Sequence, residues 1–164
     1  SFRFGVAHDD TMVYVAMDVT DDALNDADEA MLRDFGRAMF RAMGPDPAAA
    51  TLSLEAILST VDGLGLNEDE RAGFEKARKI PKSSADVGGK YAHQVSEGRM
   101  TLEFAMPRGA LEAVSGTTTE HVQINVAYND YEDADARFGL SYLYWHPLWN
   151  GETDSAILGV FKLD

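Results

Sequence analysis

Along Met12 to Val19 every second residue is apolar: Val13, Val15, Met17 and Val19. The same period of two returns at Phe2, Phe4 and Val6, at Met100, Leu102, Phe104 and Met106, and at Val122, Ile124, Val126 and Tyr128. Alternation at this period puts neighbouring side chains on opposite faces of an extended chain, so each stretch reads as a strand with one inner face. Turn chemistry separates them. His8-Asp9-Asp10-Thr11 joins the first two into a hairpin, and Glu97-Gly98 turns the strand from Lys90 to Val95 into the one that ends at Pro107. Ala110 to Val114 reads as a short helical turn.

Between Leu24 and Pro81 the period lengthens to three or four. Ala27, Met31, Phe35, Ala38, Met39, Ala42 and Met43 share one helical stripe, with Asp26, Asp28 and Glu29 at its N-terminal end and Gly44-Pro45 closing it. A second helix is predicted from Ser53, with Leu54, Ile57, Leu58 and Val61 on its stripe. A third starts at Asn67, which caps it while Glu70 reaches back, and ends before Pro81. After Tyr128 comes an acidic loop, then a strand from Arg137 carrying Phe138, Leu140, Tyr142 and Tyr144, a loop holding Trp145 and Trp149, and a closing strand from Gly159 to Leu163. Helices do not alternate with strands, which disfavours a parallel doubly wound sheet. The expected fold is a jelly-roll-like antiparallel β-sandwich, one domain over residues 1–164, with a helical insert over residues 24–81 between its second and third strands. The chain opens one residue before a core strand, which predicts that it is part of a larger polypeptide.

Composition narrows the partners. The chain has 164 residues, 45% hydrophobic and 26% charged, with a net charge of −14, which repels a phosphate backbone or an anionic lipid surface. Nucleic acid is not an expected partner. It has no cysteine, hence neither a disulfide framework nor a thiolate metal site. No apolar run reaches the roughly 20 residues of a spanning helix, so membrane insertion is not expected. The four histidines are dispersed, and neither a His-Glu-x-x-His spacing, a Gly-x-Ser-x-Gly elbow nor a phosphate loop is present. The sequence reads as non-catalytic.

Two kinds of residue point to binding. A pyranose presents a C–H face that stacks on an indole while planar polar groups take up its hydroxyls. Trp145 and Trp149, with Asn129, Arg137, His146 and Asn150, provide that combination, although Trp145 also reads as a core residue at a strand end. Clustered carboxylates suit calcium, a hard cation bound by several oxygens. The two candidate groups are Asp18, Asp21 and Asp22, and Asp130, Asp133 and Asp135; both also read as solvated acidic loops.

The run from Phe4 to Asp22, an aspartate-bearing turn before a strand that ends in an acidic pair, resembles the early hairpin of family 9 carbohydrate-binding modules and their DOMON-like relatives. Met100 to Pro107 is similar to that family's proline-ended strand. Asn125 to Asp130, Arg137 and Leu143-Tyr144-Trp145 resemble its Asn-Asp loop and tryptophan strand, and Gly159 to Leu163 its terminal strand. The resemblance implies a β-sandwich that binds the ends of glycans between aromatic side chains, often with structural calcium, as an appendage of an extracellular, periplasmic or cell-surface protein. The helical insert departs from the family pattern. Two other readings stay open: an interaction module that docks a partner domain through the insert, and a haem b site of the DOMON-like kind, ligated by Met with Lys or His. Haem is the less expected, because Met31, Met39 and Met43 fit a core stripe.

Overall fold

A computed structural model describes residues 1–24, 34–42, 55–59, 72, 82–115, 120–131, 140–145 and 159–163. Its strands, in chain order, are β1 (Phe2–His8), β2 (Met12–Thr20), β3 (Phe35–Ala42), β4 (Glu55–Ser59), β5 (Lys82–Ser83), β6 (Lys90–Ser96), β7 (Arg99–Pro107), β8 (His121–Tyr131), β9 (Leu140–Tyr144) and β10 (Gly159–Lys162). The helices that can be given bounds among the described residues are α1 (Ser84–Val87) and α2 (Arg108–Ser115).

The β1–β2 hairpin forms where expected, with Val6 opposite Val15. Asp9 builds its turn: Oδ1 accepts from the amides of Thr11 and Met12 at 2.7 and 2.8 Å, satisfying backbone donors that the tight reversal would leave unbonded. Gly98, at φ 67°, makes the β6–β7 turn in a conformation that glycine adopts without a steric penalty. These four strands form one antiparallel sheet in the order β1-β2-β7-β6.

The second sheet has six strands and follows the path β10-β8-β3-β4-β5. β9 also pairs with β8, over Ala127 to Tyr131, while β10 takes His121 to Ile124, so the two lie end to end along one edge of the longer strand. All pairings in this sheet are antiparallel except β4 with β5.

The sheets close on a core to which β2 gives Val13, Val15, Met17 and Val19, β7 gives Met100, Leu102, Phe104 and Met106, and β8 gives Val122, Ile124, Val126 and Tyr128. Ala38 and Phe40 of β3 and Leu111 of α2 complete it. Each large side chain buried there contributes about 1.5–3 kcal/mol. At Gly36 the packing is close enough that a Cβ would lie 2.7 Å from Leu102 Cδ2, so glycine lets β3 approach β7. The antiparallel β-sandwich is therefore the fold.

The helical insert is where the structure departs from expectation. Phe35 to Ala42, placed on the first helix, is a strand between β4 and β8, and Glu55 to Ser59, placed on the second, is another. The physical reason lies in β3. It is buried on both faces, Ala38 and Phe40 inward and Phe35 and Met39 outward, so its apolar residues do not simply alternate. Ala, Met and Arg also favour helix in isolation, a preference that sheet pairing overrides. Of the third predicted helix only Ala72 is described, in helical conformation; the rest of residues 24–81 outside β3 and β4 is not described beyond Leu24 and Asp34. A partner-docking helical face therefore has no support among the described residues.

Candidate functional site

The second sheet carries a face that the core does not use. Across β3 and β8 the register sets Phe35 opposite Asn129, Arg37 opposite Ala127, Met39 opposite Asn125 and Arg41 opposite Gln123. Arg37, Arg41, Gln123, Asn125 and Asn129 are all buried, although polar side chains of this kind usually lie at the surface. Aromatic rings join them. Phe35 stacks beside Tyr131, with centroids 6.5 Å apart at 29°, and the Arg37 guanidinium lies 5.9 Å from the Phe35 ring. Arg37 Nη2 donates to the Tyr144 hydroxyl at 3.4 Å, tying β9 to β3 across β8. Asn129 Oδ1 is buried and accepts no hydrogen bond among the described residues. An unbonded buried acceptor costs about 1–3 kcal/mol, and it is the atom of this face that most calls for a donor from outside the fold.

At one end of the sandwich, on the core side of this sheet rather than on the face of Asn129, three carboxylates converge. Oxygens of Asp21, after β2, of Asp34, before β3, and of Asp130, on β8, all lie within 4.8 Å of one another. The Tyr128 hydroxyl donates to Asp21 Oδ2 at 3.0 Å, and the Tyr131 amide donates to Asp34 Oδ1 at 2.7 Å. Asp34 is only 3% exposed. Burial, and then the charges of Asp34 and Asp21, hold the Tyr128 phenol well above its usual ionisation range. Hard oxygen donors from three separate segments fit a calcium ion in kind, and the like charges disfavour one another without a cation.

The residues singled out in the sequence therefore separate. Asp21 and Asp130, assigned to two groups, come together, and Asp34 joins them from a segment read as helix. Asp18 stands apart, on the solvated face of the first sheet, where Arg3 reaches it at 2.6 Å and Arg99 at 2.5 Å. Bonding to Arg99 and then Arg3 lowers its pKa to about 2. Asp22 is exposed. Asp133, Asp135, Arg137, His146, Trp149 and Asn150 lie outside the described residues. Trp145 sits on the core side of the second sheet, away from the face that Asn129 occupies. It meets Phe4 of β1 edge-on at 4.8 Å and 61°, and Phe161 of β10 at 6.1 Å, closing the gap between the two sheets. It still exposes 39% of its surface.

No motif marks Arg37, Arg41, Gln123 or Asp34 as site residues, and Asn125 is marked only as the start of the Asn-Asp loop. A signal existed in Phe35-x-Arg37-x-Met39-x-Arg41, a period-two row beside Gly36, Ala38 and Phe40 that places both arginines on one strand face.

The fold has known counterparts. Over 99% of this chain and 76% of that one, the structure superimposes on a family 9 carbohydrate-binding module from Caldicellulosiruptor kristjanssonii in complex with glucose, with a TM-score of 0.54 and 12% identity. The same organism's module in complex with cellotriose matches with 0.54 and 12%, over 98% of this chain and 73% of that one. A Bacteroides uniformis protein proposed to bind carbohydrate matches with 0.53 and 15%, over 99% and 78%. No family profile and no curated protein sequence matches the chain. At this identity the likeness establishes the fold, a β-sandwich of the family 9 module type.

Proposed function

We propose that this chain is a non-catalytic carbohydrate-binding module of an exported or cell-surface protein, that it takes the ends of glycans on the polar and aromatic face of its second sheet, and that calcium at Asp21, Asp34 and Asp130 steadies that end of the sandwich. The observation that carries the reading is Asn129 Oδ1, a buried acceptor without a donor among the described residues, in a face of guanidinium, amide and aromatic groups. Sugar hydroxyls are donors that complete such a face, and structural counterparts were captured with glucose and cellotriose. In this proposal Arg37 and Asn129 engage hydroxyls, and Trp149, His146, Arg137 and Asn150 supply the stacking platform and further polar partners. The exposed part of Trp145 contributes at the margin.

Few contacts and strong competition from water give such sites Kd values on the order of micromolar to millimolar. Calorimetry against neutral mono- and oligosaccharides, glucose and cellotriose included, should show binding that Trp149→Ala and Asn129→Ala each remove while the melting temperature stays within a few degrees. No heat from any sugar, or variants that bind as well as the parent, overturns the assignment.

A further inference from the structure

The opposite sheet carries a second feature that the reading above does not use. On the solvated side of the four-stranded sheet, pairing places Ala7, Tyr14, Ala105 and Lys90 in one row across β1, β2, β7 and β6. The next row is Gly5, Ala16, Glu103 and Ala92. Alanine and glycine are depleted in strands, because exposed strand positions favour β-branched and aromatic side chains. Five of the eight positions nonetheless hold them, and the result is a hollow of about 460 Å³ over β2, β7 and β6, with Tyr91 on its rim. That size is within the roughly 300–1,000 Å³ of small-ligand sites and holds about one or two pyranose rings.

What rises from the hollow is fixed. The Tyr14 hydroxyl donates to Asp9 Oδ2 at 2.8 Å. Asp9 is itself locked by the turn, its Oδ1 accepting from the Thr11 hydroxyl and from two amides. The ring is therefore oriented before any ligand arrives, although Tyr14 is 39% exposed. Preorganisation of this kind removes the rotamer entropy that a ligand would otherwise have to overcome. Glu103 and Lys90 flank the small residues, and among the described residues no hydrogen bond or ion pair engages either. They are an acceptor and a donor at the edge of an aromatic-walled hollow.

We propose that this hollow is a saccharide site separate from the face that holds Asn129, in which a neutral pyranose stacks its C–H face on Tyr14 and bonds its hydroxyls to Glu103 and Lys90. A stacked apolar face beside one acceptor and one donor is the pattern a neutral sugar satisfies. The net charge of −14 weighs against acidic glycans. A protein partner would need about 800 Å² from this side, and among the described residues the large exposed apolar ones here are Tyr14 and Tyr91.

The test is an amide NMR titration of the labelled protein with cellotriose and a panel of other neutral oligosaccharides. Shifts should appear at Ala16, Ala92 and Ala105. Tyr14→Ala should weaken binding there at least tenfold, while Tyr14→Phe, which keeps the ring, stays within about threefold. Ala16→Lys, which fills the hollow from an exposed position, should abolish those shifts with an unchanged melting temperature. Shifts confined to residues around Asn129 and Tyr144, with the hollow silent, overturn this proposal while leaving the first one standing. Shifts in the hollow that survive Tyr14→Ala overturn it as well.

Discussion

Gly159 offers a sharp test of how the sandwich is closed. A Cβ at this position would lie 2.1 Å from Trp145 Cη2, 2.3 Å from Cζ3 and 3.1 Å from Phe161 Cε2. Ordinary contact needs more than about 3.4 Å, so Gly159→Ala forces the indole to retreat by more than an ångström and to give up its edge contact with Phe4. Overpacking of this kind costs about 1–3 kcal/mol, and replacing glycine in a strand returns about 0.5–1 kcal/mol. The expected net loss is up to about 2.5 kcal/mol, which for a chain of this size lowers the midpoint by up to roughly 10 °C. Gly109 in α2, where an added Cβ meets nothing within 4 Å, is the control. Gly109→Ala should stabilise by about 0.4–1 kcal/mol. Urea unfolding followed by circular dichroism measures both, and Trp145→Ala completes a double-mutant cycle, because without the indole the added methyl group has room. The Trp145→Ala background should erase the Gly159→Ala penalty. An additive cycle, or a Gly159→Ala variant more stable than the parent, would show that Trp145 does not pack against β10 as described.

Two further outcomes follow from the charges. Asp18 has its pKa lowered to about 2 by Arg99 and Arg3, so its contribution to stability is present above the usual carboxylate value of 3.8 and is lost as the pH falls through about 2. Thermal melts of Asp18→Asn should therefore lie below those of the parent at neutral pH and meet them near pH 2; a gap that does not narrow on acidification refutes the pairing. Calcium at millimolar concentration should raise the melting temperature over that in chelator by several degrees, since ligand at about 100 times its Kd stabilises by about 2.7 kcal/mol. Asp34→Asn, which keeps an oxygen for the Tyr131 amide, should abolish that shift and melt no lower than the parent in chelator. Equal melting of the parent in calcium and chelator rules the ion out.

Seven of the ten described strands were legible because apolar residues alternate along them or turn residues bound them, and the alternation from Val13 to Val19 or from Met100 to Met106 states the pairing almost residue by residue. β3 was hidden because both its covered faces carry apolar residues, whereas β8, covered as fully, alternates them with Gln123, Asn125 and Asn129; β4 and the two-residue β5 were hidden with β3. The candidate site went with β3. Asn129 could be named from its place beside the acidic loop, but Arg37 and Arg41 come to share a face with it only once β3 lies against β8. Asp34 likewise acquires Asp21 and Asp130 as neighbours through pairing between distant segments, which no local spacing encodes. Asp18, by contrast, looked like a ligand because of the carboxylates that follow it, whereas alternation along β2 turns it to the other face, toward Arg3 and Arg99.

The end-to-end arrangement of β9 and β10 along β8 has a consequence for how such a domain can diversify. The chain leaves that edge at Trp145 and returns at Gly159, and the two residues touch, so the core holds both ends of the connecting segment in place. The entropy of closing a flexible segment between fixed ends grows only with the logarithm of its length, about 0.6 kcal/mol per doubling. By that measure, changing the number of residues between Trp145 and Gly159 costs little as long as the contact between those two holds both strands in register. Grafting foreign loops between Trp145 and Gly159 would be a route to new ligands on an unaltered scaffold.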